Sequence, residues 1–247
     1  MTSALQPLLA LAGVEDRLAA GRAAVDAALR HRALRREGGS LAAEAALRSA
    51  VASAALEGHP YDVEEVRAGT VTDPVVQGAL RVSAALDGLV RAWNAAPRQV
   101  LARLHLLAAR GCPGVPESSL GRPESAPEVG ARLDALCAVV TAPAGSAPAL
   151  LRAAVVHGEL LALRPFAGPS GVVARAAGRL TLIADGLDPR GLLAPEVGHL
   201  AREPEYVGAA NAFASGTRDG LRSWLSHCAA AVEAAATELT TQADGHP

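Results

Sequence analysis

The chain has 247 residues, enough for one enlarged domain with a sizeable buried core, which excludes a peptide or a small disulfide-stapled fold. Half of the residues are apolar while 2% are aromatic and 57 are alanine, a balance that favours closely packed helices over a sheet. Formal charge is −2 and all 23 basic residues are arginine, so charge gives no case for bulk nucleic-acid binding. The expected fold class is all-α.

The first residues, Met1 to Leu11, form a short apolar run without a basic flank, and Glu15, Asp16 and Arg17 follow at once, so no signal peptide is expected. Leu18, Val25, Leu29 and Leu34 recur at helical spacing and predict one amphipathic helix from Val14 to Arg36, stopped by Gly38-Gly39. Its arginine cluster, Arg30, Arg32, Arg35 and Arg36, reads as a solvated face near a helix C-terminus. Ser40 is the expected N-cap of a second helix through Leu41, Leu47, Val51 and Leu56, ended after Glu57 by Gly58 and Pro60. Further helices are expected at 74–94, 97–109, 127–140, 147–161, 171–185 and 206–236. Between Gly111 and Ser125, three prolines and three glycines without helical period predict a loop or at most a short hairpin. The charge-free stretch 135–151 is broken by Pro143, Gly145 and Pro148 and is not expected to span a bilayer. From about Thr240 a frayed polar tail is expected.

Cys112, Cys137 and Cys228 are isolated from one another and from histidine at metal spacing, which fits a reducing, cytoplasmic setting with no metal site. His105 and His157 lie among leucine, valine and alanine and read as hydrogen-bonded core histidines, and His199 and His227 have no acidic or cysteine partner at useful spacing. Trp93, Trp224, Phe166 and Phe213 read as core aromatics. Gly-Pro-Ser170-Gly is not a nucleophile elbow, because the second glycine follows immediately and no strand precedes it.

The segment from His157 to Arg175 carries the chemistry. A helix ends near Leu163, proline and glycine force a tight loop, and an alanine-rich helix begins near Gly171, whose first N–H groups are a ready anion site. This segment resembles the Fic (Fido) family, whose loop reads His-Pro-Phe-x-Asp/Glu-Gly-Asn-Gly-Arg-x-x-Arg. Pro165, Phe166, Gly171 and Arg175 match that pattern. His157, seven residues before the loop, falls where many family members carry a histidine, Gly121-Arg122-Pro123 resembles the family's flap, and Gly216 to Leu225 with Trp224 resembles its closing helix. Ser53-Ala-Ala-Leu-Glu57-Gly58 is similar to the family's inhibitory helix, placed N-terminal to the core. The implied organisation is an N-terminal helical region, 1–95, with the inhibitory-like helix at 41–58, then a Fic-like core, 96–236, and a tail, 237–247.

The family transfers AMP from ATP to a hydroxyl of a target protein. The resemblance assigns the general base to the histidine, Mg²⁺ to the acid, and the phosphates to the Gly/Asn turn and first arginine. Here Arg164 replaces the base, Gly168 the acid, Pro169 and Ser170 the turn, and Val172 the clamping arginine. A guanidinium with a pKa above ~12 does not take a proton, glycine offers no hard oxygen to Mg²⁺, and proline removes an N–H from the anion nest. Glu57 and Arg175 survive, the pair that forms the family's inhibitory ion contact. The expectation is a Fic-fold pseudoenzyme that binds or regulates a protein partner, without cofactor, nucleic acid or membrane, and with homo-oligomerisation left open. The rival expectation is a divergent transferase moving AMP or another phosphate-containing group, with ATP and Mg²⁺ bound and Arg164 acting on phosphate.

Overall fold

Residues 4–245 are described by a computed structural model, and among them there are twelve α-helices and no strand. The helices are α1 (Gln6–Leu9), α2 (Val14–Ala28), α3 (Leu34–Ala55), α4 (Val63–Arg67), α5 (Pro74–Trp93), α6 (Pro97–Ala109), α7 (Pro127–Val140), α8 (Ala149–Leu163), α9 (Ser170–Ala184), α10 (Pro195–Ala201), α11 (Glu203–Ala214) and α12 (Arg218–Gly245). The chain is 71% helical, well above half, and this is the all-α architecture expected. No helix among the described residues is long and apolar enough to cross a membrane.

Proline opens α5, α6, α7 and α10, where its missing N–H is one that a helix start leaves unpaired anyway. Asp73 adds a side-chain cap to α5, accepting the Val75 and Val76 N–H groups at 2.8 and 3.1 Å. At the other end of α3, His59 N–H donates to Ala54 O and Gly58 N–H to Ala55 O, and Gly58 takes φ 88°. That Schellman turn ends the helix where the sequence indicated and leaves Glu57 on its last turn.

Helix α9 is the axis of the molecule, with every residue from Ser170 to Ile183 buried. On one side α5, α6, α7 and the end of α3 bury Val76, Val82, Leu101 and Leu104 against Val173 and Leu180. On the other, α8, α11, α12 and α2 surround Leu151, Trp224, Leu225 and Val25. Each such leucine contributes about 1.5–3 kcal/mol by leaving water. Trp93, Trp224, Phe166 and Phe213 are all core residues, as expected, and the two indoles donate to Thr181 Oγ1 and Ala154 O.

Several expectations need correction. The break between the first two long helices falls at 29–33, so that α2 and α3 both bring leucines to the core, and Gly38-Gly39 lies inside α3. The glycine there is used for close approach: a Cβ on Gly38 would lie 2.8 Å from Arg190 Nη1, which donates to Leu34 O at 3.0 Å. Ser40 is consequently mid-helix, its hydroxyl bonded back to Glu37 O, and caps nothing. The single helix expected over 206–236 is two, α11 and α12, turned at Gly216 with φ 67°, and the short helices α1, α4 and α10 were not anticipated. Segment 111–125, expected as a loop or at most a short hairpin, is a loop holding one 3₁₀ turn, Glu117–Ser119, in keeping with that expectation. Finally, α12 continues to Gly245 because Leu239 and Ala243 are buried in the second core, so residues 240–245 are helix, while 246–247 lie outside the described residues.

Candidate functional site

Loop 164–169 joins α8 to α9. Arg164 caps α8 in the left-handed conformation, φ 46° and ψ 56°, with its side chain exposed and its N–H bonded to Leu160 O. A non-glycine residue held there carries backbone strain of about 1–3 kcal/mol. Pro165 and Phe166 then turn into the core.

His105 on α6 fixes this loop from below. Its ring stacks on Phe166 at 4.7 Å, its Nδ1 accepts the Gly121 N–H at 3.0 Å, and its Nε2 lies 2.8 Å from Ala167 O. Since Nδ1 accepts, the proton sits on Nε2 and donates to Ala167, so the neutral tautomer is set by its neighbours. Burial, only partly offset by the Ala167 carbonyl, lowers the His105 pKa in the same sense. The expected core histidine is therefore a tie between segment 111–125 and the loop. Glu124 N–H adds a second tie, to Pro165 O at 2.9 Å.

That segment also approaches Gly168, which stays exposed. The glycine has φ 75°, and a Cβ built on it would lie 2.6 Å from Val115 Cγ2. Any side chain at position 168 would meet both backbone strain and the valine. Next, Pro169 precedes α9 without a side-chain cap, and Ser170 is buried with its hydroxyl unpaired among the described residues. Gly171 faces α3, and a Cβ there would collide with Glu57 Oε1. The carboxylate thus rests against the first turn of α9, the place where N–H groups and the helix dipole attract an anion.

Glu57 is held there by Arg175, whose Nη2 donates to Glu57 Oε1 at 2.7 Å and to Ser53 O at 2.8 Å. Arg175 Nε donates to Ser53 Oγ at 2.8 Å, and Nη1 to the Tyr206 hydroxyl at 3.2 Å. The guanidinium is 2% exposed and the carboxylate 17%. Burial pulls the Arg175 pKa down, but Tyr206 and Glu57 outweigh it and raise the net value. Burial also lifts Tyr206 to about 12, so its hydroxyl is neutral and Glu57 is the compensating charge. Ser53, Glu57, Gly58, Gly171 and Arg175, proposed from two distant stretches of sequence, form one cluster.

Tyr206 was not anticipated. It belongs to a buried group in which its hydroxyl lies 3.0 Å from His157 Nε2 and its ring 4.7 Å from that of His199, itself paired with His227 at 3.0 Å. Burial holds His157 and His199 well below the ordinary histidine pKa and His227 near 4, so all three are neutral. A cavity of about 30 Å³ lies beside them, lined also by Arg175 and Glu196, with room for about one water. Sequence spacing pointed to none of these partners, because they converge from α8, α10, α11 and α12.

Structural comparison supplies the class. The chain superposes on a Fic family protein from Desulfovibrio desulfuricans G20 with a TM-score of 0.72 at 20% identity, over 92% of this chain and 74% of that one. It superposes on residues 134–508 of Fic-1 from C. elegans with a TM-score of 0.74 at 17% identity, over 98% of this chain and 76% of that one. A variant of that C. elegans chain with glycine in place of a glutamate matches at 0.71. No family model matches the sequence, and no curated protein does. The chain has the Fic fold, and the fold is what these likenesses establish.

Proposed function

We propose that this chain is a degenerate member of the Fic family that has lost AMP transfer and acts by binding or regulating a protein partner. One observation carries the reading: every position at which the reaction needs a reactive group or open space is changed or covered. Arg164 stands where a base must accept a hydroxyl proton, and a guanidinium accepts none. Gly168 stands where Mg²⁺ needs an oxygen, and Val115 lies against it. Glu57 lies against Gly171 on the floor that would receive phosphate. The residues present do not fit Mg²⁺-ATP, and no step of the proposed function runs through it. A reducing, cytoplasmic setting and the absence of a nucleic-acid partner are part of the proposal, resting on free cysteines and on the net charge of −2.

The second reading, a divergent transferase, draws on Arg164 itself, which is exposed at the loop. Labelled ATP with Mg²⁺, incubated with wild type and Glu57→Gly and with cell extract, separates the two. The pseudoenzyme reading expects no label on protein and no calorimetric ATP binding in either form. Label that disappears in Arg164→Ala would replace it with the transferase.

A further inference from the structure

Away from the loop, α2, α11 and α12 enclose an open cleft of about 480 Å³ whose polar lining is Arg17, Arg202, Glu205, Ser223, Ser226 and His227. We propose that this cleft is a binding site for a small oxyanion, a phosphate or carboxylate group carried on a small molecule.

The donors outnumber the acceptors. Two guanidinium groups and two serine hydroxyls converge on the space, and one carboxylate, Glu205, opposes them. Neither serine hydroxyl makes a hydrogen bond among the described residues, and Ser223 is exposed. The arginines are weakly engaged. Arg17 meets Glu233 at 3.4 Å with its side chain 43% exposed, and Arg202 pairs with Glu205 one turn along α11, with exposures of 45% and 58%. Exposed pairs of this kind contribute about 0–1 kcal/mol, so an oxyanion competes for both guanidinium groups at little loss.

His227 supplies an independent observation. The residue is 6% exposed, its Nε2 bonds inward to His199 Nδ1 at 3.0 Å, and its Nδ1 is buried without a partner. An unmade hydrogen bond at a buried nitrogen costs about 1–3 kcal/mol, and native structures rarely leave one without a use. His227 lines the cleft, and a small ring movement that opens Nδ1–H to it lets an oxyanion there accept the hydrogen bond. The His227 Nε2 then accepts from His199 Nδ1–H, so one ligand fixes both tautomers of the pair.

The cleft has a built-in control. Gly208 on α11 lines it, and a Cβ added there meets nothing within 4 Å, so Gly208→Leu fills the space while raising helix propensity. The experiment titrates ¹⁵N-histidine-labelled protein with inorganic phosphate, and separately with acetate, at constant ionic strength held by chloride, reading the His227 imidazole resonances. Saturable shifts are expected with at least one anion, about tenfold weaker in Arg202→Gln and absent in Gly208→Leu. A phosphate-only response assigns the site to phosphate monoesters, and equal responses assign it to carboxylates as well. Should Gly208→Leu lose its native spectrum, the Ser223→Ala/Ser226→Ala double variant replaces it, with a several-fold loss expected. Shifts that never saturate, or saturable binding that survives in Gly208→Leu, overturn the proposal. The ATP experiment above is independent of this result.

Discussion

Replacing Glu57 with alanine removes the one carboxylate that faces the buried Arg175 guanidinium. Three bonds remain, to Ser53 Oγ, Ser53 O and Tyr206, all neutral acceptors. The arginine is 2% exposed and keeps its charge, so the variant holds an uncompensated cation in the core. Removing one partner of a buried pair costs about 3–5 kcal/mol, and because the Glu57 carboxylate retains some contact with water the lower end applies, about 3 kcal/mol. For a chain of this size 1 kcal/mol moves the melting midpoint by about 2–4 °C, so a fall of about 6–12 °C is expected. Scanning calorimetry reads it, with urea titration at 25 °C as the equilibrium check. Arg98→Gln is the comparison, since its partner Asp134 is 74% exposed and that pair contributes about 1 kcal/mol at most. The double change Glu57→Leu/Arg175→Met removes both charges and recovers most of the loss, as replaced buried pairs commonly do. A Glu57→Ala midpoint within about 2 °C of wild type refutes the assignment of compensating charge to Glu57.

The pair His157 and His199, with His227, gives a pH dependence of definite sign. Burial depresses all three pKa values below the ordinary histidine value of 6.5, His227 to about 4, so the unfolded chain binds more protons than the folded one within that window. Stability therefore falls as pH drops from about 6.5 towards 4, by about 1.4 kcal/mol per unit for each fully linked histidine. Asp188, raised by burial from 3.8 to about 6, and Asp185, also raised by burial, act in the opposite sense, while His105, lowered by burial, adds to the three histidines; a urea midpoint that rises on acidification from pH 6.5 to 5 contradicts the balance. His105→Ala strands the Gly121 N–H and Ala167 O and loses the Phe166 stack, at about 2–4 kcal/mol. Limited proteolysis then cuts within 111–125 faster than in wild type, and equal rates speak against the tie. Gly168→Asp meets Val115 at a positive φ and loses about 1–3 kcal/mol. Thermal scans with and without Mg²⁺ coincide for that variant, whereas a Mg²⁺-dependent rise means that the loop still accepts the metal.

Helix α6, bounded by Pro97 and the Gly111 turn, and α7, opened by Pro127, were legible to the residue because local chemistry ends them. The α2–α3 break was not. Its position depends on where Leu34 meets the second core and on an arginine 152 positions after Gly38, which a local reading weighs as a helix-breaking glycine. The polar tail misled for the same reason, since two buried side chains, Leu239 and Ala243, outweigh a surface full of threonine and glutamine. At the site, Glu57 and Arg175 were legible because each sits in a recognisable pattern, 118 positions apart. Tyr206, Val115 and His227 carry no pattern. Their roles exist only in three dimensions, where a phenol meets a guanidinium, a valine meets a bare Cα, and an imidazole is left with one nitrogen unpaired.

The residue types in loop 164–169 and the closure around it are physically coupled. A working anion nest needs a convergent set of unpaired N–H groups, and such a set is unstable when nothing occupies it. Here Pro169 has no N–H to offer, the Val172 N–H donates to Pro169 O at 3.2 Å, and the Ser170 N–H donates to Gly168 O at 2.7 Å. The loop satisfies these donors internally, and Glu57 supplies the negative charge that the α9 dipole favours. Val115 can approach Gly168 only because the position has no side chain, and its approach in turn excludes one. Histidine placed at 164 alone would stand beside a turn against which Glu57 already rests, which is why the ATP experiment pairs wild type with a variant that removes Glu57 rather than one that adds a base.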